Sequence, residues 1–471
     1  MSTLSARALA LLLVGWRDGG VAYAALADRI RLLILDGRVA SGTRLPAERE
    51  LAAQLQVSRT TVTAAYAELR ATGHLSSVRG SGSVAQLPLR APVSIDGGQS
   101  GLLDFSKAAL PAMPQVADAA HAAAAMLPGY LGESGFDPYG IPVLREALAD
   151  RFTARGLPTS PDQIIVTIGA QHAIALIART LLGRGDRALV EHPTYPHALD
   201  ALRMAGARVL PVSVTNEEGW DALAIEQALQ RSSPALGYLM PDNHNPTGRT
   251  MPEEQRAWLM TLAARQGTTI IADETMAELG FDGQSVQPPM AVHGPAIVVG
   301  SVGKTVWGGL RLGWIRAERS VIQRLVRARN AGDLGTPLLE QLIVTHLLRD
   351  YDSILEQRRV FLRAGRDRLV GMLRERFPSW TVPQTPGGLT AWVNLGEPVS
   401  SQLAIAARNE GLIVAAGPRF GIDGAFERFM RIPFSYPADD TIRAVDALER
   451  AWATVMRYPV PVPADDLASV V

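Results

Sequence analysis

The sequence predicts a multidomain chain in which a small helical unit with a β-hairpin wing precedes a larger α/β unit with a mostly parallel sheet. Three observations lead to this fold class. The first 84 residues combine helical periodicity with turn residues, residues 85–103 are rich in Pro, Gly and Ser and have no period, and apolar strand-like runs alternate with helical segments from residue 104 onward. We therefore expect domains at 1–84 and 104–471, joined by a linker at 85–103.

The composition narrows the class of protein. Of the 471 residues, 47% are hydrophobic and 20% are charged, which is typical of a globular protein. The absence of cysteine excludes disulfides, thiolate zinc sites and cysteine nucleophiles. The apolar run at 8–15 is far shorter than the roughly 20 residues of a membrane span, and no cleavage site follows it. We expect it to form a helix that packs on a neighbouring domain, and we expect a cytoplasmic protein with no membrane partner.

Charge is unevenly distributed, although the formal net charge of the chain is zero. Residues 1–90 contain 11 arginines, no lysine and six acidic residues, so the rest of the chain carries a compensating negative charge. A basic amino-terminal unit followed by an acidic remainder indicates that the first unit binds a polyanion and that the rest of the chain has a different function.

The first 84 residues predict one longer helix, two short helices and a hairpin. Pro46 is expected to open the first short helix as its N1 residue, and Ser58 is expected to cap the second, which ends at Gly73. The segment at 74–85, HLSSVRGSGSVA, predicts a β-hairpin with glycines at its tip. The residues expected to face the core recur at helical spacing: Leu26, Ile30, Leu33, Ile34, Leu51, Leu55, Val62, Tyr66 and Leu69.

Two short helices and a hairpin, with hydroxyls and an arginine at the start of the second helix, are typical of a winged helix-turn-helix. The motifs LPAERELA, VSRTTV and GSG make residues 23–84 closely resemble the GntR-type bacterial regulators. The resemblance implies that the helices and the wing contact double-stranded DNA. The residues it assigns to DNA are Arg49, Ser58, Arg59, Thr60, Thr61, Thr63, Arg79 and Gly80.

The α/β body is predicted from continuous apolar runs. These runs are IIVTI, RALVE, ALGYLM, TTIIAD and AIVVGS, and helical segments separate them. Continuous apolar strands with intervening helices predict a mostly parallel sheet that is buried on both faces. We expect the large part of the body at about 155–330 and the small part in the flanking segments.

Lysine is rare in this chain, which contains only Lys107 and Lys304. Because arginine neither forms an imine nor loses its proton, Lys304 indicates amine chemistry. The stretch GSVGKT could also be a phosphate-binding P-loop, but that pattern needs glycine at the position of Val298. The S-x-x-K pattern of serine acyl-enzymes needs a downstream S-D-N and K-T-G, and neither follows. A cofactor that carries an aldehyde is the hypothesis that remains.

Residues far along the chain complete such a site. Pyridoxal phosphate needs a lysine for its aldehyde, an acid for its ring nitrogen, donors for its phosphate and often an arginine for a substrate carboxylate. Asp273 ends the run TTIIAD, and Ala170 and Gln171 begin a helix after a strand, which suits phosphate. The other candidates are Tyr195 in HPTYP, Asn245 in PDNHNPTG, Ser301, Arg311, and Arg431 in MRIPFS.

In this order the motifs GAQ, PTYP, NPTG, ADE and SxxK, with the C-terminal arginine, resemble those of fold-type I aminotransferases over residues 104–455. The resemblance implies that the body has the PLP-dependent transferase fold and binds pyridoxal 5'-phosphate (PLP) covalently through Lys304, the catalytic lysine. It places Asp273 at the ring nitrogen, Asn245 at the ring oxygen and Tyr195 against the ring. The residues that it assigns to the phosphate are Ala170, Gln171, Ser301 and Arg311, and Arg431 would bind a ligand carboxylate.

Two positions depart from the family pattern. A tyrosine usually follows the ring-nitrogen aspartate by two or three residues, and here Thr275 and Met276 stand there. A second family tyrosine, which reaches the phosphate of the partner subunit, aligns with Gly135. We therefore expect cofactor binding to survive and efficient turnover to be lost.

A GntR-type unit fused to an aminotransferase-like body resembles the MocR family of bacterial transcription regulators. The resemblance implies a nucleoid-associated homodimer that binds an operator and responds to PLP or to its adduct with a small amino compound. Two alternatives stay open. One is a working aminotransferase whose DNA-binding unit regulates its own synthesis, and the other is a regulator whose body dimerises without binding a cofactor.

Overall fold

In the computed structural model, which describes residues 3–13, 16, 21–35, 39, 43–78, 82–86, 102–422 and 424–457, the amino-terminal unit is a set of short helices followed by a hairpin. Its elements are α1 (Ala6–Leu12), α2 (Ala22–Leu35), α3 (Glu48–Leu55), α4 (Arg59–Ala71), β1 (Leu75–Val78) and β2 (Gly82–Ala85). The two strands pair in antiparallel register, with Leu75 opposite Ala85. The predicted winged helix-turn-helix is confirmed.

One apolar core holds this unit together. The predicted inward residues of the helices are buried in it, except for Leu55, which is half-buried. Leu9 and Leu13 from the first apolar run lie in the same core, so the expectation that this run packs on a neighbouring domain is wrong. Pro46 is also not the N1 residue, because α3 begins at Glu48 and the carbonyl of Pro46 instead accepts a hydrogen bond from Tyr66 Oη at 3.1 Å.

The body is built on an eight-stranded sheet with the strand order β4-β11-β10-β9-β8-β5-β6-β7. Strands β10, β9, β8, β5 and β6 are parallel, whereas β11 is antiparallel to both of its neighbours and β7 is antiparallel to β6. The strand bounds are β4 (Ile164–Thr167), β5 (Arg187–His192), β6 (Arg208–Thr215), β7 (Gly219–Trp220), β8 (Leu236–Leu239), β9 (Thr269–Asp273), β10 (Ala296–Ser301) and β11 (Gly313–Arg316). The mostly parallel sheet predicted from the apolar runs is confirmed.

Helices cover both faces of this sheet, and the side chains on both faces of its strands are therefore buried. Val298 packs into the core on one face, and Val299, the next residue, packs into the core on the other. The helices that precede, separate and follow its strands are α5 (Gln115–Met126), α6 (Pro142–Ala154), α7 (Ala170–Leu181), α8 (Pro196–Met204), α9 (Ala222–Ser232), α10 (Glu253–Gln266), α11 (Arg319–Arg329) and α12 (Leu338–Leu347). Two-sided burial explains why the strand sequences lack polar alternation.

A smaller part is formed by both ends of the body. Its three-stranded sheet has the order β12-β15-β14, and β3 pairs in parallel with β13. The bounds are β3 (Leu103–Asp104), β12 (Thr390–Asn394), β13 (Leu412–Ile413), β14 (Ala415–Ala416) and β15 (Phe429–Pro433), with α13 (Tyr351–Arg376), α14 (Ser400–Asn409) and α15 (Ala438–Arg457). Among the residues described, none of the helices is both long and apolar enough to span a bilayer.

Candidate functional site

The predicted cofactor residues lie at one edge of the large sheet. Strands β4, β5, β8, β9 and β10 all run in one direction, so the segments that follow them emerge on the same side. These segments carry Ala170, Tyr195, Asn245 and Lys304, and Asp273 is the last residue of β9 at the same edge. Ligands of open α/β sheets bind at this carboxyl edge. The topology therefore collects residues that are up to 134 positions apart in the sequence.

Lys304 lies in the turn after β10 and presents its amine to the interior. Its Nζ donates a hydrogen bond to the carbonyl oxygen of Ala108 at 2.6 Å. Burial, together with the charge of Arg431 and against the opposing effect of Asp273, lowers the pKa of this amine to about 8. A lysine with this pKa has a far larger fraction of its amine in the free-base form near neutral pH than an ordinary lysine, and the free base is the form that attacks an aldehyde.

Asp273 ends β9 with its side chain buried and with both carboxyl oxygens hydrogen-bonded. Its Oδ2 accepts from Tyr238 Oη at 2.7 Å, and its Oδ1 accepts from the backbone nitrogen and Oγ1 of Thr275 at 3.1 and 2.7 Å. Burial raises the pKa of this carboxyl, whereas the hydrogen bonds from Thr275 and Tyr238 oppose the rise. Position 275, where the family pattern has a tyrosine nearby, is therefore not without a function in this fold. The hydroxyl of Thr275 is used in a hydrogen bond to Asp273.

The turn between β4 and α7 offers a cradle for an anionic group. Gly169 has a φ of +83°, and no side chain caps α7, so the amide groups of Ala170 and Gln171 are free of a capping partner within the helix. A Cβ on Gly313 would lie 2.8 Å from the Gly169 carbonyl carbon and 2.9 Å from Ala170 N. Arg311 is held with a φ of +49° and donates from Nη2 to Ile168 O at 3.2 Å.

This cradle has the properties of a phosphate site. The amino-terminal end of a helix attracts an anion through its exposed N–H groups and its dipole. A left-handed arginine is strained, and such strain is concentrated at functional positions. Ser301, at the end of β10, is close by in the fold, but its Oγ donates to Leu312 O at 2.8 Å and accepts from Gly303 N at 3.0 Å. The side chain of Gln171 is also used, because its Nε2 donates to His197 O at 2.8 Å.

Arg431 and Asn245 contact each other, and the charge of Arg431 acts on Lys304. Arg431 donates from Nη1 to Asn245 Oδ1 at 3.5 Å and from Nη2 to the carbonyl oxygen of Ser106, and its guanidinium lies 4.7 Å from the ring centre of Phe420. Its buried Nε has no hydrogen-bond partner among the residues described. Burial lowers the pKa of Arg431 to about 10. A buried guanidinium with an unused donor is suited to an incoming carboxylate.

Tyr195 is the N-cap residue, immediately before α8, and its side chain is half-buried. Burial raises the pKa of its phenol to about 12, and the charges that act on it are those of Asp273, Arg431 and Arg311. The tyrosine is therefore within electrostatic range of Asp273, Arg431 and Arg311, and its flat ring offers a stacking surface.

Taken together, these residues fit pyridoxal phosphate. The open helix end and Arg311 offer donors for a phosphate, Lys304 offers a free amine, and Asp273 offers a buried acid. The unpartnered Nε of Arg431 offers a place for a ligand carboxylate. Bound there, the cofactor would supply an aldehyde for amines and an electron-withdrawing ring.

Sequence reasoning missed two groups in this site. Tyr238 is fully buried on β8, and its hydroxyl bonds the acid on the neighbouring strand. Glu191 on β5 is also fully buried and accepts from Trp220 Nε1 at 2.6 Å and Met240 N at 2.8 Å, while His244 Nε2 lies 3.2 Å away. The signal in the sequence was a tyrosine and a glutamate inside otherwise apolar strands. Because buried polar groups need partners, such residues indicate hydrogen bonds in the interior.

The predicted DNA contacts cluster at the start of α4. Ser58 Oγ caps the helix by accepting from Thr61 N at 3.1 Å, and Arg59 and Thr60 are exposed beside it. Thr61 is half-buried, with its Oγ1 2.8 Å from Ser58 Oγ. Thr63 is exposed but donates to Glu48 Oε2 at 2.8 Å, which ties α4 to α3.

The other predicted DNA contacts lie outside this cluster. Arg49 is exposed on α3. Arg79 and Gly80, predicted for the wing, lie outside the described residues. The described part of the unit therefore presents one exposed helix end that carries an arginine and hydroxyls, as a groove-binding helix requires.

Comparison with protein families divides the chain in the same way. Residues 103–448 match the family described as aminotransferase class I and II, and residues 22–84 match bacterial regulatory proteins of the gntR family. The uncharacterized HTH-type transcriptional regulator YisV of Bacillus subtilis is 30% identical over 86% of this chain and 90% of its own. The probable rhizopine catabolism regulatory protein MocR of Rhizobium meliloti is 30% identical over 77% of this chain and 80% of its own.

Enzymes are also among the similar proteins. The 2-aminoadipate transaminase of Thermus thermophilus is 31% identical over 60% of this chain and 73% of its own. The crystal structure of LysN, the α-aminoadipate aminotransferase of Thermus thermophilus in complex with N-(5'-phosphopyridoxyl)-L-leucine, has a TM-score of 0.70 and 28% identity, and covers 76% of this chain and 94% of its own. The chain therefore belongs to the aminotransferase class I and II family and, with its gntR-family unit, to the MocR type of transcriptional regulators.

Proposed function

We propose that this protein is a PLP-responsive, DNA-binding transcription regulator. The proposal rests on the combination of two features in one chain. One is a site that has the amine, the acid and the anion cradle that PLP needs, and the other is a helix that exposes Arg59 at its start. The amine is Lys304 Nζ, whose pKa burial lowers to about 8. The acid is Asp273, and the cradle is formed by the start of α7 with Arg311.

Each site residue has a role in this proposal. Lys304 binds the cofactor aldehyde, Asp273 holds the proton at the ring nitrogen, and Asn245, whose Oδ1 faces Arg431, donates from Nδ2 to the ring oxygen. Tyr195 stacks on the ring, and Arg431 binds the carboxylate of an amino compound. The anion cradle holds the phosphate with the backbone N–H groups of Ala170 and Gln171 and with Arg311, and Ser301 joins them by turning its hydroxyl from Leu312 O to the phosphate.

Regulation follows from linkage between the two ligands. If PLP, or PLP with an amino compound, favours one arrangement of the DNA-binding units, DNA changes the ligand affinity by the same factor. Such coupling is typically about 1–3 kcal/mol. We propose a homodimer in the cytoplasm, associated with the nucleoid, because two α4 helices would then contact two half-sites of an operator.

A gel shift on the DNA upstream of the chain's own gene tests the proposal. We expect a specific complex whose affinity changes about fivefold or more when PLP, alone or with an amino acid, is added. If the protein binds PLP but its affinity for the DNA does not change when PLP is added, regulation by the cofactor is contradicted. Loss of the visible absorbance band in Lys304→Ala distinguishes a cofactor-binding body from one that only dimerises.

A working aminotransferase is the second candidate function. The similarity to the 2-aminoadipate transaminase and the reactive amine of Lys304 favour it. Thr275 weighs against it, because its hydroxyl bonds Asp273 and leaves no phenol for the ring oxygen. Spectra recorded during incubation with amino and keto acids separate the two, since sustained conversion indicates an enzyme and a stalled adduct indicates a sensor.

A further inference from the structure

Tyr238 is the partner of Asp273 that lies farthest from it in the sequence. It belongs to β8, which pairs in parallel with β9, and its side chain is fully buried. Its hydroxyl donates to Oδ2 of Asp273 at 2.7 Å. A phenol buried in the apolar centre of a sheet costs free energy unless it is hydrogen-bonded, so the acid satisfies the phenol as much as the phenol satisfies the acid.

Thr275 holds the other oxygen of the same carboxyl. Both its backbone nitrogen and its Oγ1 donate to Oδ1, at 3.1 and 2.7 Å. Asp273 therefore accepts from three donors distributed over both of its oxygens, although its exposed fraction is only 4%. Three donors to one carboxyl favour its ionised form over its neutral form.

The surroundings of Asp273 otherwise favour the neutral acid. Burial raises the pKa of Asp273, and the nearby charge of Glu191 raises it further. The ammonium form of Lys304 is an opposite charge that acts on the same carboxyl, and the amine must be in its neutral form to attack an aldehyde. With the amine neutral, the hydrogen bonds from Tyr238 and Thr275 favour the carboxylate from within the protein, and the protonated ring nitrogen of a bound cofactor would add a charge of its own.

We propose that Tyr238 and Thr275 are positioning residues that keep Asp273 ionised as the partner of the protonated ring nitrogen of PLP, and thereby set the affinity for the cofactor. This inference rests on the proposed function, because it assumes that PLP binds at Lys304. The inference gives Thr275 a role that differs from that of the family tyrosine. The tyrosine bonds the ring oxygen of the cofactor, whereas the hydroxyl of Thr275 bonds Asp273.

The test uses two ligands that differ in one atom. They are PLP and its analogue in which the ring nitrogen is replaced by a C–H group. The full-length protein is compared with Tyr238→Phe, Thr275→Val and the conservative Thr275→Ser, and binding is followed by absorbance. Each hydroxyl removal weakens PLP binding about tenfold, because a hydrogen bond to a charged group is lost, and leaves the affinity for the C–H analogue unchanged. Thr275→Ser retains the affinity for PLP.

A purely structural role gives a different result. Equal weakening of both ligands, or no weakening of either, overturns the inference. Thermal unfolding of each variant accompanies the titrations, and Thr275→Val with Thr275→Ser still decides the question if Tyr238→Phe fails to fold. A wild-type protein that binds neither ligand contradicts the proposed function itself, and that outcome is distinct from a failure confined to the variants.

Discussion

The amine of Lys304 is hydrogen-bonded to the carbonyl oxygen of Ala108 at 2.6 Å, although the two residues lie 196 positions apart. The segment that contains Ala108 follows β3, the first strand of the body. The backbone at the start of the body therefore orients the reactive amine at the far end of β10. This contact and the burial of the amine distinguish Lys304 from the exposed Lys107 as the lysine expected to react with PLP.

Lys304→Ala is expected to abolish covalent attachment of PLP, because the side chain of the other lysine, Lys107, is exposed to solvent and not buried in the site. Lys304→Arg is expected to do the same, since a guanidinium does not form the link. Lys107→Ala is the matched control. Lys107 is exposed and paired with Asp104 at 2.9 Å, so its loss should leave the visible absorbance of bound PLP unchanged. Covalent attachment of PLP that persists in Lys304→Ala would refute the assignment of Lys304 as the residue that binds the cofactor aldehyde.

The rate of PLP attachment is expected to rise with pH and to level off above about 8. The amine reacts only as the free base, and burial holds the pKa of Lys304 near that value, below its ordinary 10.5. Arg431→Met removes a like charge and should move the midpoint to higher pH, whereas Asp273→Asn removes an opposite charge and should move it lower. Stopped-flow absorbance measures the profile. Shifts in the same direction would contradict this electrostatic account.

Gly313→Ala is expected to weaken PLP about tenfold, a typical cost of overpacking. The new Cβ would lie 2.8 Å from both Gly169 C and Gly300 O, so the anion cradle must open. Pyridoxal, which has no phosphate, should bind with unchanged affinity. Gly371→Ala is the control, because no heavy atom lies within 4 Å of the added Cβ. Equal effects on PLP and pyridoxal would place the phosphate elsewhere.

Arg59→Ala is expected to weaken operator binding at least about tenfold while PLP absorbance stays intact. Arg59 is exposed at the first turn of α4, next to the capping Ser58. Arg203→Ala removes an exposed arginine from the body and should leave the gel shift unchanged. Operator binding that survives Arg59→Ala at physiological salt would show that the DNA-contacting helix is misassigned.

Glu191→Gln is expected to lower the free energy of unfolding of the body by about 1–3 kcal/mol. The carboxylate accepts from Trp220 and Met240 on its two oxygens, and an amide can accept on only one of them. The other donor would remain buried without a partner. Glu218→Gln, at an exposed position, serves as the control and should change little. Chemical denaturation followed by tryptophan fluorescence measures both variants.

The architecture was accessible from the sequence because the relevant signals are local. The run AIVVGS is apolar up to its final serine, so a strand buried on both faces is predicted whatever surrounds it. Ser58 caps α4 as predicted, since a cap depends on residues within one turn. The start of α3 was misplaced because Glu48, its first residue, is held by Thr63 and Arg70 of α4, which are tertiary partners.

The interior of the site was less accessible, because it depends on pairs from different strands. Tyr238 and Asp273 are 35 positions apart, and only the pairing of β8 with β9 brings them together. Thr275 was recognised as a departure, but the direction of its hydroxyl is a property of the folded turn. Sequence motifs therefore identified the residues expected to touch the cofactor and not the residues that hold them.

The entry of the chain into the body has a mechanical consequence. Strand β3 pairs with β13, and two residues later the carbonyl of Ser106 accepts a hydrogen bond from Arg431. A carboxylate that takes Arg431 from Ser106 would therefore release the backbone two residues before Ala108, whose carbonyl oxygen accepts the hydrogen bond from Lys304 Nζ. Binding of a ligand carboxylate and orientation of the reactive amine would thus be coupled through three consecutive residues of one segment.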